Sequence, residues 1–189
     1  MSKEIKTRKS DMDFGEVYFY TSTIIKWKHL LKKDSYKTII IDSLKVLVER
    51  KLLIVYGFVI MRNAAQPNHI HIIWELLAMN GKEMPDTSFT KFTAQQFRKE
   101  LSINYPQILE MFRSDKNDRS YQFWQRDPLA TRIFSKEMLL QKLEYMHTNP
   151  MQERWNLVES PEKYHWSSAK FYENQIDNFG FITHFMDKF

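Results

Sequence analysis

In the stretch Pro67-Asn68-His69-Ile70-His71-Ile72-Ile73-Trp74, residues Asn68 to Trp74 read as a β-strand, a nearly continuous run of apolar and β-branched residues. Strand side chains alternate, so His69 and His71 project from one face and Ile70, Ile72 and Trp74 from the other. Upstream, Leu53 to Ile60 is a nearly continuous apolar run and reads as a second strand, joined to the first by an irregular connection from Arg62 to Pro67. Before it, Asp34 or Ser35 caps a helix in which Ile40, Leu44, Leu47 and Val48 recur at helical spacing to about Arg50. Glu16 to Ile25 is a further β-branched and aromatic segment, followed by a basic-aromatic connection from Trp27 to Lys33.

Downstream of Trp74, Gly81 and Pro85 mark a turn, and Ser88 begins a helix carrying Phe89, Phe92, Gln96, Phe97 and Leu101, with Lys91, Arg98 and Lys99 on its other side. Ser114 to Ser120 is a charged loop. Tyr121 to Gln125 reads as a strand that leads through Asp127-Pro128 towards Arg132-Ile133-Phe134. Ser135 caps a last helix through Met138, Leu139, Leu143 and Met146, and Pro150 stops it at about Asn149. The order predicts an α+β fold with helices packed on a largely antiparallel sheet. It divides into a flexible basic N-terminus at 1–15, one domain at 16–173 and a C-terminal tail at 174–189.

The 189 residues, 43% of them hydrophobic, suffice for one core. Lys and Arg number 28 against 23 Asp and Glu, so the net charge of +5 suits a polyanionic partner. The absence of Cys excludes disulfides, thiolate nucleophiles and Cys-ligated metal sites. Four Gly leave no room for a Gly-rich phosphate loop, which argues against a nucleotide cofactor. The longest apolar run, Leu52 to Met61, has ten residues, short of the roughly 18 that a membrane helix requires. Residues 1–10 are basic with no apolar signal core, which predicts a cytoplasmic protein.

Two imidazoles side by side on a strand can place two nitrogens on one divalent ion, leaving other positions for a substrate oxygen. Barrel amidohydrolases share the pattern but need about 250 residues. Metallo-β-lactamase-like sites require further ligands where Ile72, Ile73 and Trp74 stand, and cupins are Gly-rich barrels. At the end of the last helix, Tyr145 and Asn149 are four apart and share an edge beside the apolar stripe of Leu139, Leu143 and Met146. The Asn149 carboxamide can give an oxygen to a hard cation, and the Tyr145 phenol is a candidate nucleophile.

Pro67-Asn68-His69-Ile70-His71, then Tyr145-Met146-His147-Thr148-Asn149-Pro150, then Pro161-Glu162-Lys163-Tyr164-His165-Trp166-Ser167-Ser168-Ala169-Lys170-Phe171-Tyr172 form an ordered set. This set resembles the REP-associated tyrosine transposases, single-tyrosine members of the HUH group in which a hydrophobic residue, here Ile70, separates two histidines. Phe123-Trp124-Gln125-Arg126-Asp127 is similar to the family's segment before the tyrosine helix. The chain departs from the family pattern in its long connection Arg62 to Pro67 and in Met151 to Trp155 after Asn149-Pro150.

The resemblance implies a ferredoxin-like sheet and metal-dependent cleavage and rejoining of single-stranded DNA at hairpin-forming repeats. It implies His69, His71 and Asn149 as ligands of Mg²⁺ or Mn²⁺, and Tyr145 as the nucleophile that becomes a 5′-phosphotyrosine. It also implies a bacterial, nucleoid-associated setting, with a monomer favoured and a dimer as the alternative. Lys26, Lys28, Lys32, Lys33, Arg98, Lys99 and Arg126 are candidate phosphate contacts, and Trp27 and Trp166 candidate stacking platforms for unpaired bases. Two rivals make separable predictions. A domesticated binder of DNA or RNA hairpins binds without cleaving, and a zinc hydrolase using His69 and His71 forms no covalent link between Tyr145 and DNA.

Overall fold

The computed structural model describes residues 12–62, 68–115 and 119–189. The basic residues 1–11 and most of the connection before His69 lie outside them. Four strands, β1 (Val17–Thr23), β2 (Leu53–Met61), β3 (His69–Leu76) and β4 (Leu129–Ile133), form one sheet in the order β2-β3-β1-β4. Every neighbouring pair is antiparallel. Helix α1 (Asp34–Glu49) connects β1 to β2, while α2 (Pro85–Asn104) and the short α3 (Pro106–Glu110) lie between β3 and β4. This β-α-β-β-α-β order is the ferredoxin-like arrangement. Helix α4 (Lys136–Thr148) follows β4, and α5 (Ala169–Asn174) comes late in the chain. Among the described residues no helix is long and apolar enough to cross a membrane.

The strand alternation divides the core in two. Tyr18, Tyr20, Ile70, Ile72 and Trp74 pack with α1 and α2 through Tyr36, Ile40, Leu44, Phe89 and Phe97. Val17, Phe19, Val59 and Ile73 pack with α4 through Leu139, Leu143 and Met146. The β2 register shifts between Val55 and Gly57, so both Tyr56 and Val59 reach the α4 side. Gly57 lies directly under α4: a Cβ there would stand 2.7 Å from Leu143 Cδ2 and 2.8 Å from Met146 Cε. The absent side chain lets helix and sheet approach closely.

Three expectations are corrected. Residues 121–125 are not a strand; Trp124 makes a single bridge to Ile24, and the fourth strand is Leu129–Ile133. Phe123 and Trp124 both enter the core on the α1 and α2 side, whereas strand alternation sends successive residues to opposite faces. Helix α2 starts at Pro85 instead of Ser88, since proline is favoured in a first turn. Residues 174–189, expected as a tail, pack on the body: Thr183 N–H donates to the Val55 carbonyl at 2.9 Å, and Phe181 and Phe185 are buried. Lys188 Nζ closes this end on Glu75 Oε1 at 2.9 Å.

The segment from Tyr164 to Tyr172 covers the outer edge of β2. Ile60 N–H donates to the Trp166 carbonyl at 2.9 Å, Ser168 N–H donates to Phe58 O at 3.0 Å, and Tyr164 Oη donates to Ile60 O at 2.8 Å. An edge strand with unpaired backbone groups is thereby closed.

Candidate active site

β3 carries His69 and His71 on the face that α4 covers, and their rings lie 4.8 Å apart between centroids. Phe19, from the neighbouring strand, stacks on His71 at 5.0 Å. Ser135 Oγ caps α4 by accepting from Met138 N–H at 3.2 Å, which starts the helix where its apolar stripe meets the sheet. Leu139, Leu143 and Met146 are buried beneath it. Tyr145, on the adjoining edge, then meets His71 edge-on at 5.6 Å and Phe19 at 6.1 Å. Its side chain remains 42% exposed, open to an incoming molecule.

His71 is buried, and Thr21 Oγ1 lies 2.8 Å from its Nδ1. With Nδ1–H donating to Thr21, the lone pair sits on Nε2, and Nε2 is buried with no protein hydrogen-bond partner. Burial, reinforced by the charges of His69 and Lys142, pushes this imidazole down to about 3, so it is neutral near physiological pH. A neutral, oriented imidazole with an unpartnered nitrogen has the donor character that a divalent cation requires. Among the described residues no three His, Cys, Asp or Glu cluster in a metal-binding group.

Asn149 ends α4 in helical geometry, with φ −52° and ψ −46°, although Pro150 follows. Pro150 therefore stops the α-helix without expelling Asn149 from its phase with Tyr145. Asn149 is buried, and its Oδ1 accepts from Trp155 Nε1 at 3.1 Å. The Trp155 ring lies 5.6 Å from that of His69, so the link from Asn149 to the histidines runs through Trp155. An amide oxygen has two lone pairs, and the Trp155 contact uses one of them.

Lys142, one turn before Tyr145, holds its Nζ 5.2 Å over the Phe19 ring. Arg154 lies 5.1 Å over Trp155. Thr21, Phe19, Trp155 and Lys142 are site residues that sequence reasoning missed. Only Lys142 left a signal, its helical spacing of three from Tyr145. His147 is buried and bonds Ser168 Oγ at 2.8 Å; it ties α4 to the segment covering β2.

The cationic candidates go elsewhere. Lys28, Lys32 and Lys33 surround an apolar recess of about 280 Å³ beside Tyr36 and Phe112. Lys28 lies 4.5 Å over Phe112 and Lys33 3.4 Å over Tyr105. Lys26 pairs with Asp115 at 3.6 Å, Arg98 stacks on Tyr121 at 5.2 Å, and Lys99 and Arg126 are exposed. Tyr36 and Phe97 place α1 and α2 in the core on the far side of the sheet from the histidines. Trp166 is half-buried and covers Lys37 Nζ at 5.0 Å, so that ring is part of the packing. The Trp27 side chain lies outside the described residues.

No protein-family model matches the chain, and no curated protein matches it in sequence. Among solved structures, the fold is similar to that of a REP-associated tyrosine transposase bound to a REP hairpin. The TM-score is 0.58 with 15% sequence identity, and the match covers 95% of this chain and 90% of that one. At that identity the likeness is one of fold.

Proposed function

We propose that this protein is a metal-dependent transferase that cuts and rejoins single-stranded DNA beside hairpins, as a REP-associated tyrosine transposase. One observation carries the reading: an exposed tyrosine stands against a buried, oriented histidine whose Nε2 has no protein partner. The similar fold of a hairpin-bound transposase supports it.

In this reading His69, His71 and Asn149 hold Mg²⁺ or Mn²⁺. The bound ion supplies Lewis-acid polarisation of a phosphate oxygen. Burial and the charges of His69 and Lys142 keep His71 neutral, Thr21 and Phe19 hold its ring in place, and Phe19 and His71 together set the Tyr145 ring. Tyr145 Oη attacks phosphorus and passes its proton to solvent water as the new O–P bond forms. The bond from phosphorus to the 3′-oxygen of the departing strand breaks, and that oxygen takes up a proton. A 5′-phosphotyrosine and a 3′-hydroxyl result, and attack by a second 3′-hydroxyl reverses the step without consuming a nucleotide. Lys142, one helical turn before Tyr145 and with its Nζ over Phe19, offsets phosphate charge. Lys26, Lys28, Lys32, Lys33, Arg98, Lys99 and Arg126 steer the remaining polyanion.

The test incubates the protein and Tyr145→Phe with Mn²⁺ and end-labelled single-stranded oligonucleotides tiled across the DNA flanking its gene. A covalent protein–DNA band in wild type alone is expected on a denaturing gel. A band retained by Tyr145→Phe overturns the nucleophile. Hairpin binding by both proteins with no band identifies a non-catalytic binder.

A further inference from the structure

On the sheet face opposite the histidines lies a second polar recess that the chemistry above leaves unused. It encloses about 410 Å³ between β1, the first half of α2 and residues 119–128. That volume falls within the roughly 300–1,000 Å³ of small-ligand sites. Tyr20 and Ser22 line it from β1, at 0% and 2% exposure. Both hydroxyls are buried; they face each other but make no hydrogen bond of ordinary geometry to the protein, which native interiors seldom tolerate. The Tyr20 ring is itself well packed, 4.5 Å from Trp74, so its position is set by the core and its hydroxyl is the part left over.

The rest of the lining narrows the chemistry of a ligand. Asp86, its carboxyl raised by burial, lines the same recess, and burial first and this carboxylate second push the Tyr20 phenol upward. A carboxyl and two hydroxyls at one end suit a ligand edge bearing both amino donors and carbonyl acceptors. Trp124, largely buried with its Nε1 on Thr93 Oγ1, adds a little aromatic surface, and Arg119 and Arg126 add guanidinium groups suited to an anion. A simple anion does not match this set, because Asp86 opposes it and the hydroxyls stay unused. A planar, hydrogen-bonding ring joined to a phosphate matches all of it.

We propose that this recess binds a single unpaired nucleotide, its base edge on Tyr20, Ser22 and Asp86 and its phosphate on Arg119 and Arg126. A nucleotide within a DNA strand and a free nucleotide share this chemistry, and only the strand-borne source rests on the DNA reading above. For that source the placement is apt. Ser22 is the next residue after Thr21, which orients His71 on the opposite face, so recess and candidate active site back onto the same end of β1.

The full-length protein is titrated with each of the four deoxynucleoside monophosphates, and with hairpin oligonucleotides in which each unpaired position is made abasic in turn. Both series are repeated on Tyr20→Phe and Ser22→Ala. Tyr20→Phe keeps the ring and removes an unpaired hydroxyl, so its melting temperature is expected to hold or rise. Its affinity for the preferred nucleotide is expected to fall about three- to tenfold. Binding of a free monophosphate that weakens in both variants supports a free-nucleotide site, even where no DNA is cut. Loss of affinity at one abasic position in wild type, and no further loss there in Tyr20→Phe, supports the strand-borne source. Wild type and both variants that bind every probe alike overturn the inference, and do so without touching the Tyr145 adduct.

Discussion

On one face of the sheet, His69, His71, Phe19 and Tyr145 meet through ring contacts, with Lys142 and Arg154 close by. On the other, Lys28, Lys32 and Lys33 surround one recess, and Arg119 and Arg126 line another. The same four strands separate them, since each strand sends alternate residues to either side. The difference teaches that reactive groups and most of the charge proposed to hold DNA occupy different surfaces. A strand engaging both must pass around an edge of the sheet. Bond-making chemistry needs neutral, oriented donors near a partly dry surface, whereas steering a polyanion needs solvated cations.

The sharpest way to break this division is His71→Ala. It removes a proposed ligand nitrogen, and adduct formation is expected to fall below detection in a gel assay, while hairpin binding measured by anisotropy persists. Equal loss of both would show that the two faces do not act separately. Thr21→Val acts one step away: it keeps the shape and deletes the group that orients His71. Loss of an orienting partner of a metal ligand typically costs 10–100-fold, so Mn²⁺ affinity by titration is expected to drop by about that factor. Unchanged affinity would refute the orienting role.

Gly57→Ala tests the seating of α4. The added Cβ meets Leu143 and Met146 at under 3 Å, and overpacking of this kind costs about 1–3 kcal/mol. A lower melting temperature and slower adduct formation should appear together, because α4 carries Tyr145. Lys32→Ala addresses the other face. Binding is expected to weaken alike for all sequences, and the slope of log affinity against log salt to fall by about one if Lys32 meets a phosphate. An unaltered slope would confine Lys32 to solvent.

The smallest effect is a gradual one with pH. Burial pushes His147 from 6.5 down to about 4. The unfolded chain therefore takes up this proton first as pH falls, and the stabilisation present above about 6.5 is lost progressively towards 4. The melting temperature should decline across that window, and His147→Gln should flatten the decline. An identical slope in the variant would place the titration elsewhere.

Much of the site was legible from spacing. The two-residue interval of His69 and His71 and the four-residue interval of Tyr145 and Asn149 each assign a face, and Leu139, Leu143 and Met146 mark the side of α4 that lies down. β4 was harder: Leu129-Ala130-Thr131-Arg132-Ile133 is a short edge strand, exposed or half-buried up to Ile133, while Phe123-Trp124 nearby carries a louder apolar signal. Those two rings enter the core from a loop. Gln125 N–H donates to Thr23 O at 2.8 Å and Ile25 N–H to Phe123 O at 2.7 Å, pairings between segments about a hundred residues apart. The stretch from Pro161 to Tyr172 was legible as a motif but not as a role. Its backbone and its tyrosines close the edge of β2.

The sequence by itself determined the element order, the α+β class, the face shared by the two histidines and the edge shared by Tyr145 and Asn149. These follow from strand and helix periods, which covalent geometry imposes on any chain. Only the tertiary structure decided that Thr21 meets His71, that Trp155 meets Asn149, and that the Tyr20 and Ser22 hydroxyls go unpaired. It also decided that most of the cationic candidates turn away from the histidines. Each of these depends on which distant segments the core brings into contact, and no local period encodes that.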